Sequence, residues 1–468
     1  MMIACPTHTL EWTRRRWLGW GGHSGLLSLV AMLGNTPCPG EHSEQRPSRA
    51  TRVVFFFMNG GPSHIDTFDP KPALAHLDGT NYTGDVNINS GMRVAGTLWK
   101  SDFKFQRCGE SGLEISELYP ELSRRADDLC IIRSMHTPSS LHAPALLQMN
   151  TGQTRLGAAS LGAWIEYATG PQEESLPPFV VMLDHRGGPI NGHGNWSTGK
   201  LPVSSPARIR SPEHPFEISN ASDELAMDET RMQELLRKLN SSHLGRVAPD
   251  AQRQSRDRSY ELAWRMRRGV PEAVNLSRET LETQQRYGIH RPESREFGLR
   301  CLLARRMLER GVRYVQIYSG GGAQRDTWDS HGGNVERHRQ FAGETDRPIA
   351  AFLEDLRLTG LWDETLVIWG GEFGRTPTRE ANTNGRDHNP HGFSIWLAGG
   401  PIRGGQAIGA TDELGIEAVE TPCHVADLHA TILHALGKDH SCLNYDDHGT
   451  ELSLTGTTPC RVITEALA

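Results

Sequence analysis

Six short apolar runs, each closing on glycine, serine, asparagine or aspartate, constrain the fold of this chain more than any other feature. They are Val53–Met58 before Asn59-Gly60-Gly61, Leu129–Arg133 before Ser134, and Phe179–Leu183 before Asp184. The later ones are Arg313–Tyr318 before Ser319-Gly320-Gly321-Gly322, Leu366–Trp369 before Gly370-Gly371, and Phe393–Leu397 before Ala398-Gly399-Gly400. A strand with one wet face alternates apolar and polar residues; a strand covered on both faces reads as a near-continuous apolar run. Helical patterns separate the runs. Glu296–Glu309 has apolar residues at three- and four-residue steps. Asp346–Leu358 has Pro348 near its first turn and Gly360 past its end, and Val425–Leu436 is stopped by Gly437. This punctuation is expected of helix starts and stops. Strand and helix in alternation predict an α/β fold with a doubly wound, mainly parallel sheet flanked by helices. In such sheets ligands bind beyond the carboxyl ends of the strands. Residues 215–294 are charged and helical in pattern (Asp223–Lys238, Asp250–Arg268) and predict a helical insertion or cap. Residues 185–211 form a loop rich in Gly, Pro, Ser and Asn, longer than a simple connector needs.

The first 47 residues carry a different message. Thr13-Arg14-Arg15-Arg16-Trp17-Leu18 is followed by a soft apolar stretch, Leu26–Leu33, and then by a Pro37–Pro47 linker. Paired arginines before a weakly hydrophobic segment resemble a twin-arginine export signal. The stretch is too short for a stable transmembrane span, and no later segment has 18 apolar residues without charges. The expectation is an exported protein, periplasmic or extracellular, with residues 48–468 as the folded domain. There are 49 Lys+Arg against 56 Asp+Glu in 468 residues. That balance excludes a nucleic-acid binder, because no basic excess neutralises phosphates. The eight cysteines include no CxxC, which excludes a cysteine metal site of the ribbon type. Outside the cytosol, Cys442–Cys460 and Cys108–Cys130 could pair, with buried free thiols as the alternative.

The 21 histidines stand out beside 49 glycines. Imidazole ligates metals and moves protons near neutral pH. After the first run, Asn59-Gly60-Gly61-Pro62-Ser63-His64-Ile65-Asp66 offers an amide, an imidazole and a carboxylate. Asp326-Thr327-Trp328-Asp329-Ser330-His331-Gly332-Gly333 packs two carboxylates and an imidazole into one loop. Glu372-Phe373-Gly374-Arg375 follows another run, and Asp387-His388-Asn389-Pro390-His391 precedes the last. Oxygen ligands with imidazole suit a divalent cation such as Zn, Ca, Mn or Mg.

These stretches carry a resemblance. Phe57–Pro72, Ala304–Gln316, Asp326–Asn334, Leu361–Pro377, Gly385–Ala410 and Val425–Gly437 resemble, in order, the family named domain of unknown function 1501. Its members are exported proteins in the alkaline phosphatase and sulfatase superfamily. The resemblance implies metal-dependent hydrolysis of a sulfate or phosphate ester, on a small molecule or a polysaccharide. Asn59, Asp66, Asp326, Asp329, His331, Glu372, His388 and His391 become metal or substrate ligands, and Arg375 holds an anionic group by its fork. Where sulfatases carry Cys/Ser-x-Pro-Ser-Arg, this chain has His142-Ala143-Pro144-Ala145-Leu146. Where the superfamily has Asp-His-Gly, it has Glu372-Phe373-Gly374. His142 is then a nucleophile or base, with Ser139 and Ser140 as nearby alternatives, or it is one more ligand in a site whose original chemistry is lost. The second case describes a non-catalytic glycan- or partner-binding protein on the same fold.

Overall fold

The computed structural model describes residues 50–89, 92–170, 176–209 and 251–468, together with a few positions between 211 and 239. The export signal, its linker and the Asp223–Lys238 helical pattern lie outside the described residues, apart from isolated positions of the latter.

All six apolar runs form strands of one sheet, which has nine strands among the described residues. They are β1 Arg52–Met58, β2 Cys130–His136, β3 Phe179–Met182, β4 Ala207–Ile209, β5 Tyr314–Ser319, β6 Thr365–Gly370, β7 Phe393–Ala398, β8 Gln406–Ile408 and β9 Cys423–His424. The order across the sheet is β8-β2-β7-β6-β1-β5-β3-β4, with β9 also on β2. β1 lies between β5 and β6, parallel to both. The β5–β3 and β3–β4 pairs are parallel, as are β8 and β9 on β2. β7 alone runs antiparallel to its neighbours β6 and β2. The expectation of a mainly parallel sheet holds with this exception. β7 starts, rather than ends, at the edge where the parallel strands finish.

Successive β1 side chains enter opposite cores, as the two-residue period of a strand requires. Val54, Phe56 and Met58 join one apolar cluster, and Val53, Phe55 and Phe57 the other. The principal helices are α1 His142–Thr151, α2 Leu161–Thr169, α3 Ala251–Ala273, α4 Arg295–Leu308, α5 Asn334–Leu358 and α6 Val425–Ala435. α4 and α5 supply Leu302, Leu303, Phe341 and Phe352 to the first cluster. α1, α2 and α6 supply Leu146, Trp164 and Leu428 to the second. The sheet is therefore covered on both faces, which is what the continuous apolar runs demanded.

α5 departs from expectation: it begins at Asn334 and runs through Pro348 rather than starting beside it. Its buried stripe includes Asn334, His338, Phe341, Ala342, Thr345 and Ile349, at helical spacing. Three of those six are polar, so the stripe is invisible to apolar periodicity. α3 covers the Asp250–Arg268 helical pattern, and Arg306 on α4 donates to Ala273 O at 2.9 Å at its end. Neither possible pairing forms: Cys108 and Cys130 are buried free thiols, the alternative reading, and Cys460 is free. Cys442 is disulfide-bonded, but not to Cys460. No described helix is long and apolar enough to cross a membrane.

Candidate functional site

The loops after β1, β5 and β6, the start of α1 and the segment before β7 meet at one sheet edge. Gly60 makes the approach between the first two close: its φ is +114°, and a Cβ there would stand 2.4 Å from the Asp329 amide nitrogen. Its N–H donates to both oxygens of Glu372, at 2.9 and 3.2 Å. Glu372 is fully buried, and its Oε1 lies 2.7 Å from His142 Nδ1. A buried carboxylate fed by a backbone N–H acts as an acceptor, so His142 donates from Nδ1 and turns Nε2 away. That Nε2 is buried without a hydrogen-bond partner and stands 3.4 Å from Asp329 Oδ2.

His388 and His331 complete the cluster by the same logic. His388 Nδ1 lies 2.6 Å from the Ser140 carbonyl, which only accepts, so His388 Nε2 carries its lone pair. His331 Nδ1 lies 2.6 Å from Glu380 Oε2 and donates to it. The two Nε2 atoms face each other at 2.9 Å, and each is 3.3 Å from Asp329 Oδ1. Two lone pairs cannot meet at that distance; a proton or a cation has to lie between them. Three imidazoles thus point Nε2 at one carboxylate, each fixed from behind by an oxygen acceptor, the arrangement that orients metal-binding histidines. Tetrahedral ligands bound at zinc distances lie about 3.3 Å apart, close to the separations here. The ligand atoms fall into two overlapping groups, His142–Asp329–His388 and His331–Asp387–His388, each within 4.8 Å. The donor set fits a divalent cation centred on Asp329 and His388, with His142 on one side and His331 on the other.

Burial and neighbouring charge pull the groups of the cluster in different directions. Burial opposes charge on His142, but the Asp329 and Glu372 carboxylates outweigh it and raise the imidazole to about 9. Burial lowers His388 to about 3, helped by the Arg375 and His142 charges. Burial would raise Asp329, yet Arg375, His142 and His388 hold it far below the usual carboxylate range. The Phe373 ring packs against both His142 and His388, at 4.9 and 4.5 Å.

The other residues expected at the site have different places. Arg375 is fully buried. It donates to Gly61 O at 2.9 Å, Arg386 O at 3.1 Å and Asp329 Oδ1 at 2.7 Å, and also to Gly60 O. Its fork is thus committed to the protein; it positions Asp329 instead of holding a substrate anion. Glu372 orients His142 rather than facing the cluster. Asn59 donates to Gly320 O at 3.2 Å and ties two strand ends together. Asp66 is buried behind the cluster, accepting from Ser63 at 2.7 Å, Asn334 at 2.9 Å and Arg386 at 3.0 Å. Asp326 is half-buried beside Arg325, 3.7 Å away. His391 Nε2 is 2.6 Å from Asn87 O, outside the cluster. His64 is buried against Gly415 O at 2.8 Å. Ser139 Oγ accepts from the Leu141 N–H at 3.1 Å, and Ser140 Oγ is buried without a partner. Sequence reasoning missed Glu380 and the role of the Ser140 carbonyl. A lone glutamate in an exposed loop resembles solvated surface, and a main-chain oxygen leaves no mark in a sequence.

A family model described as protein of unknown function (DUF1501) matches residues 50–467. No curated protein matches the chain. Among solved structures it is similar to the sulfatase PsFucS1 from Pseudoalteromonas sp., at 12% identity and a TM-score of 0.34, covering 89% of this chain and 70% of that one. It is also similar to a protein in the alkaline phosphatase superfamily from Vibrio parahaemolyticus, at 9% identity and a TM-score of 0.35, covering 91% and 72%. The TAB5 alkaline phosphatase, solved with Mg bound, matches at 13% identity and a TM-score of 0.29, covering 75% and 91%.

Proposed function

The chain belongs to the DUF1501 family, and from that premise we propose that it is an exported, metal-dependent hydrolase of sulfate or phosphate esters. One observation carries the reading: His142, His331 and His388 present Nε2 to Asp329 while each Nδ1 is held by Glu372, Glu380 or the Ser140 carbonyl. A bound divalent cation there would supply charge for the transferred group and lower the pKa of a bound water. The chain's own part is positional. Arg375 fixes the Asp329 carboxylate. Glu372 and Glu380 fix two imidazole tautomers, and Phe373 keeps water from one face of the rings. His142 serves in this reading as a ligand, since its Nδ1 is committed to Glu372 and its Nε2 to the cluster.

The test is metal analysis of protein purified without chelator, followed by assays on aryl sulfates and aryl phosphates. Near-stoichiometric metal in the wild type, lost in His331→Ala and His388→Ala together with turnover, is the expected result. A metal-free wild type inert to both esters would overturn the reading. A second reading, a binding protein on this fold, is favoured by Phe373 packing where the superfamily places an imidazole and by His142 standing in the nucleophile's place. With the nucleophile and part of the metal site lost, it predicts a protein that turns over neither ester whatever its metal content. Export is tested separately: replacing Arg14, Arg15 and Arg16 with Lys leaves the protein in the cytoplasm if the twin-arginine reading is right.

A further inference from the structure

With Arg375 committed to Asp329 and to main-chain oxygens, the negative charge of a sulfate or phosphate group needs another partner. Arg337 stands in the first turn of α5, half-buried against the loop that carries Asp329. One of its nitrogens, Nη1, donates to Gln324 O at 2.7 Å, Asp329 O at 2.8 Å and Thr327 O at 3.5 Å. Nε and Nη2 have no acceptor among the described residues and are not among the buried orphan atoms, so they reach solvent. No described carboxylate lies within the 4.0 Å of an ion pair.

The neighbouring arginines show how unusual this is. Arg186 meets Asp184 and Glu344, Arg300 meets Glu296, Arg375 meets Asp329, and Arg386 meets Asp66. Each removes its charge from water with a carboxylate in contact, as the cost of burying an ion requires. Arg337 has only carbonyl dipoles. Burial lowers its pKa, Arg375 adds to the effect, and Asp329 and Asp326 oppose it. A half-buried guanidinium with two open donors and no counter-ion is suited to two oxygens of one anion. Asp329 links the two groups: its carbonyl accepts from Arg337 Nη1, while its carboxylate faces the three imidazoles, so the guanidinium is one residue's width from the cluster.

We propose that Arg337 grips the sulfate or phosphate group of the substrate through Nε and Nη2, beside the histidine cluster. This rests on the hydrolase reading above. The rival role is mechanical, with Nη1 merely pinning the 324–329 loop. Lysine separates the two. Its ammonium can keep the carbonyl contacts and the charge, but it lacks the planar fork.

The experiment is calorimetric titration of inorganic phosphate and inorganic sulfate into wild type, Arg337→Lys and Arg337→Met. Metal content and thermal unfolding are measured on the same preparations. The expected result is that Arg337→Lys keeps the metal and the melting temperature of the wild type yet binds the preferred anion at least tenfold more weakly. Unchanged anion affinity in both variants with full metal content would overturn the proposal. So would loss of metal and anion together in Arg337→Lys, which marks loop pinning, and so would a metal-loaded wild type that binds neither anion. A metal-free wild type inert to both esters refutes the hydrolase reading instead. In that case, anion binding that disappears in Arg337→Lys still assigns the grip to Arg337.

Discussion

At His338 the protein keeps an imidazole neutral by using both of its nitrogens. Nδ1 donates to Asn334 O at 2.8 Å and Nε2 accepts the Ser63 N–H at 2.9 Å. The side chain is fully buried, and burial lowers its pKa from 6.5 to about 4 against the pull of Asp66. The unfolded chain takes up a proton near 6.5 that the folded chain refuses until about 4. The stability this group contributes is therefore complete above 6.5 and is lost as pH falls through 4. The shift corresponds to about 3 kcal/mol. His338→Gln keeps an acceptor for the Ser63 N–H and removes the titration. Denaturant unfolding at pH 7 and pH 4 should show the wild type losing about 3 kcal/mol more than the variant. Equal losses would mean that His338 takes its proton without cost. The same residue-scale logic made part of the cluster readable in advance. Asp329, His331 and His388 stood beside strand runs among glycines, where polar groups have no structural reason to gather. Glu380 and Arg337 were not readable, because one charge in a loop or a first helical turn looks like solvated surface until its partners are known.

At the scale of elements, the strands were legible because burial on both faces leaves a continuous apolar mark. The direction of β7 was not, since Phe393–Ala398 is equally apolar read either way. That direction matters, because it brings His388, which precedes β7, to the edge where the other strands end. The start of α5 was hidden because its inner stripe uses Asn334, His338 and Thr345 to build the support of the site. The strand-to-loop junction after β1 gives a sharper prediction. A methyl at Gly60 meets the Asp329 amide at 2.4 Å with φ at +114°, whereas one at Gly360, with φ at +73°, meets nothing within 4 Å. Gly360→Ala should cost about 1 kcal/mol of left-handed strain. Gly60→Ala should cost at least about 2 kcal/mol more, because overlap adds to strain. On the proposed metal-dependent reading it should also weaken metal binding, because the Gly60 N–H holds Glu372 and Glu372 orients His142. Urea unfolding of both variants with metal analysis checks the pair. Similar losses in the two would show that close approach to Asp329 is not what requires glycine at Gly60.

For the molecule as a whole, the cluster exists only when the complete sheet does. Its members come from the loop after β5, the start of α1 and the segment before β7, and the loops after β1 and β6 support them. Arg375 and Arg386, both fully buried, bind these segments to one another through Gly60, Gly61, Asp329 and Asp66. An unfolded chain cannot reproduce that set, so a cation held there binds the folded state alone and stabilises all of it. At a free metal concentration of 100 times Kd the gain is about 2.7 kcal/mol. His331→Ala isolates this linkage. Its bond to Glu380 joins two partly exposed groups, so removing it from the metal-free protein should cost no more than about 1 kcal/mol. The metal-dependent gain should nevertheless shrink severalfold. Unfolding of both proteins, with and without metal, measures the two quantities independently. A gain that survives intact in His331→Ala would remove His331 from the cation's ligands and leave the His142–Asp329–His388 group to hold it; a gain that survives in His388→Ala as well, the residue both groups share, would detach the histidine cluster from the proposed chemistry.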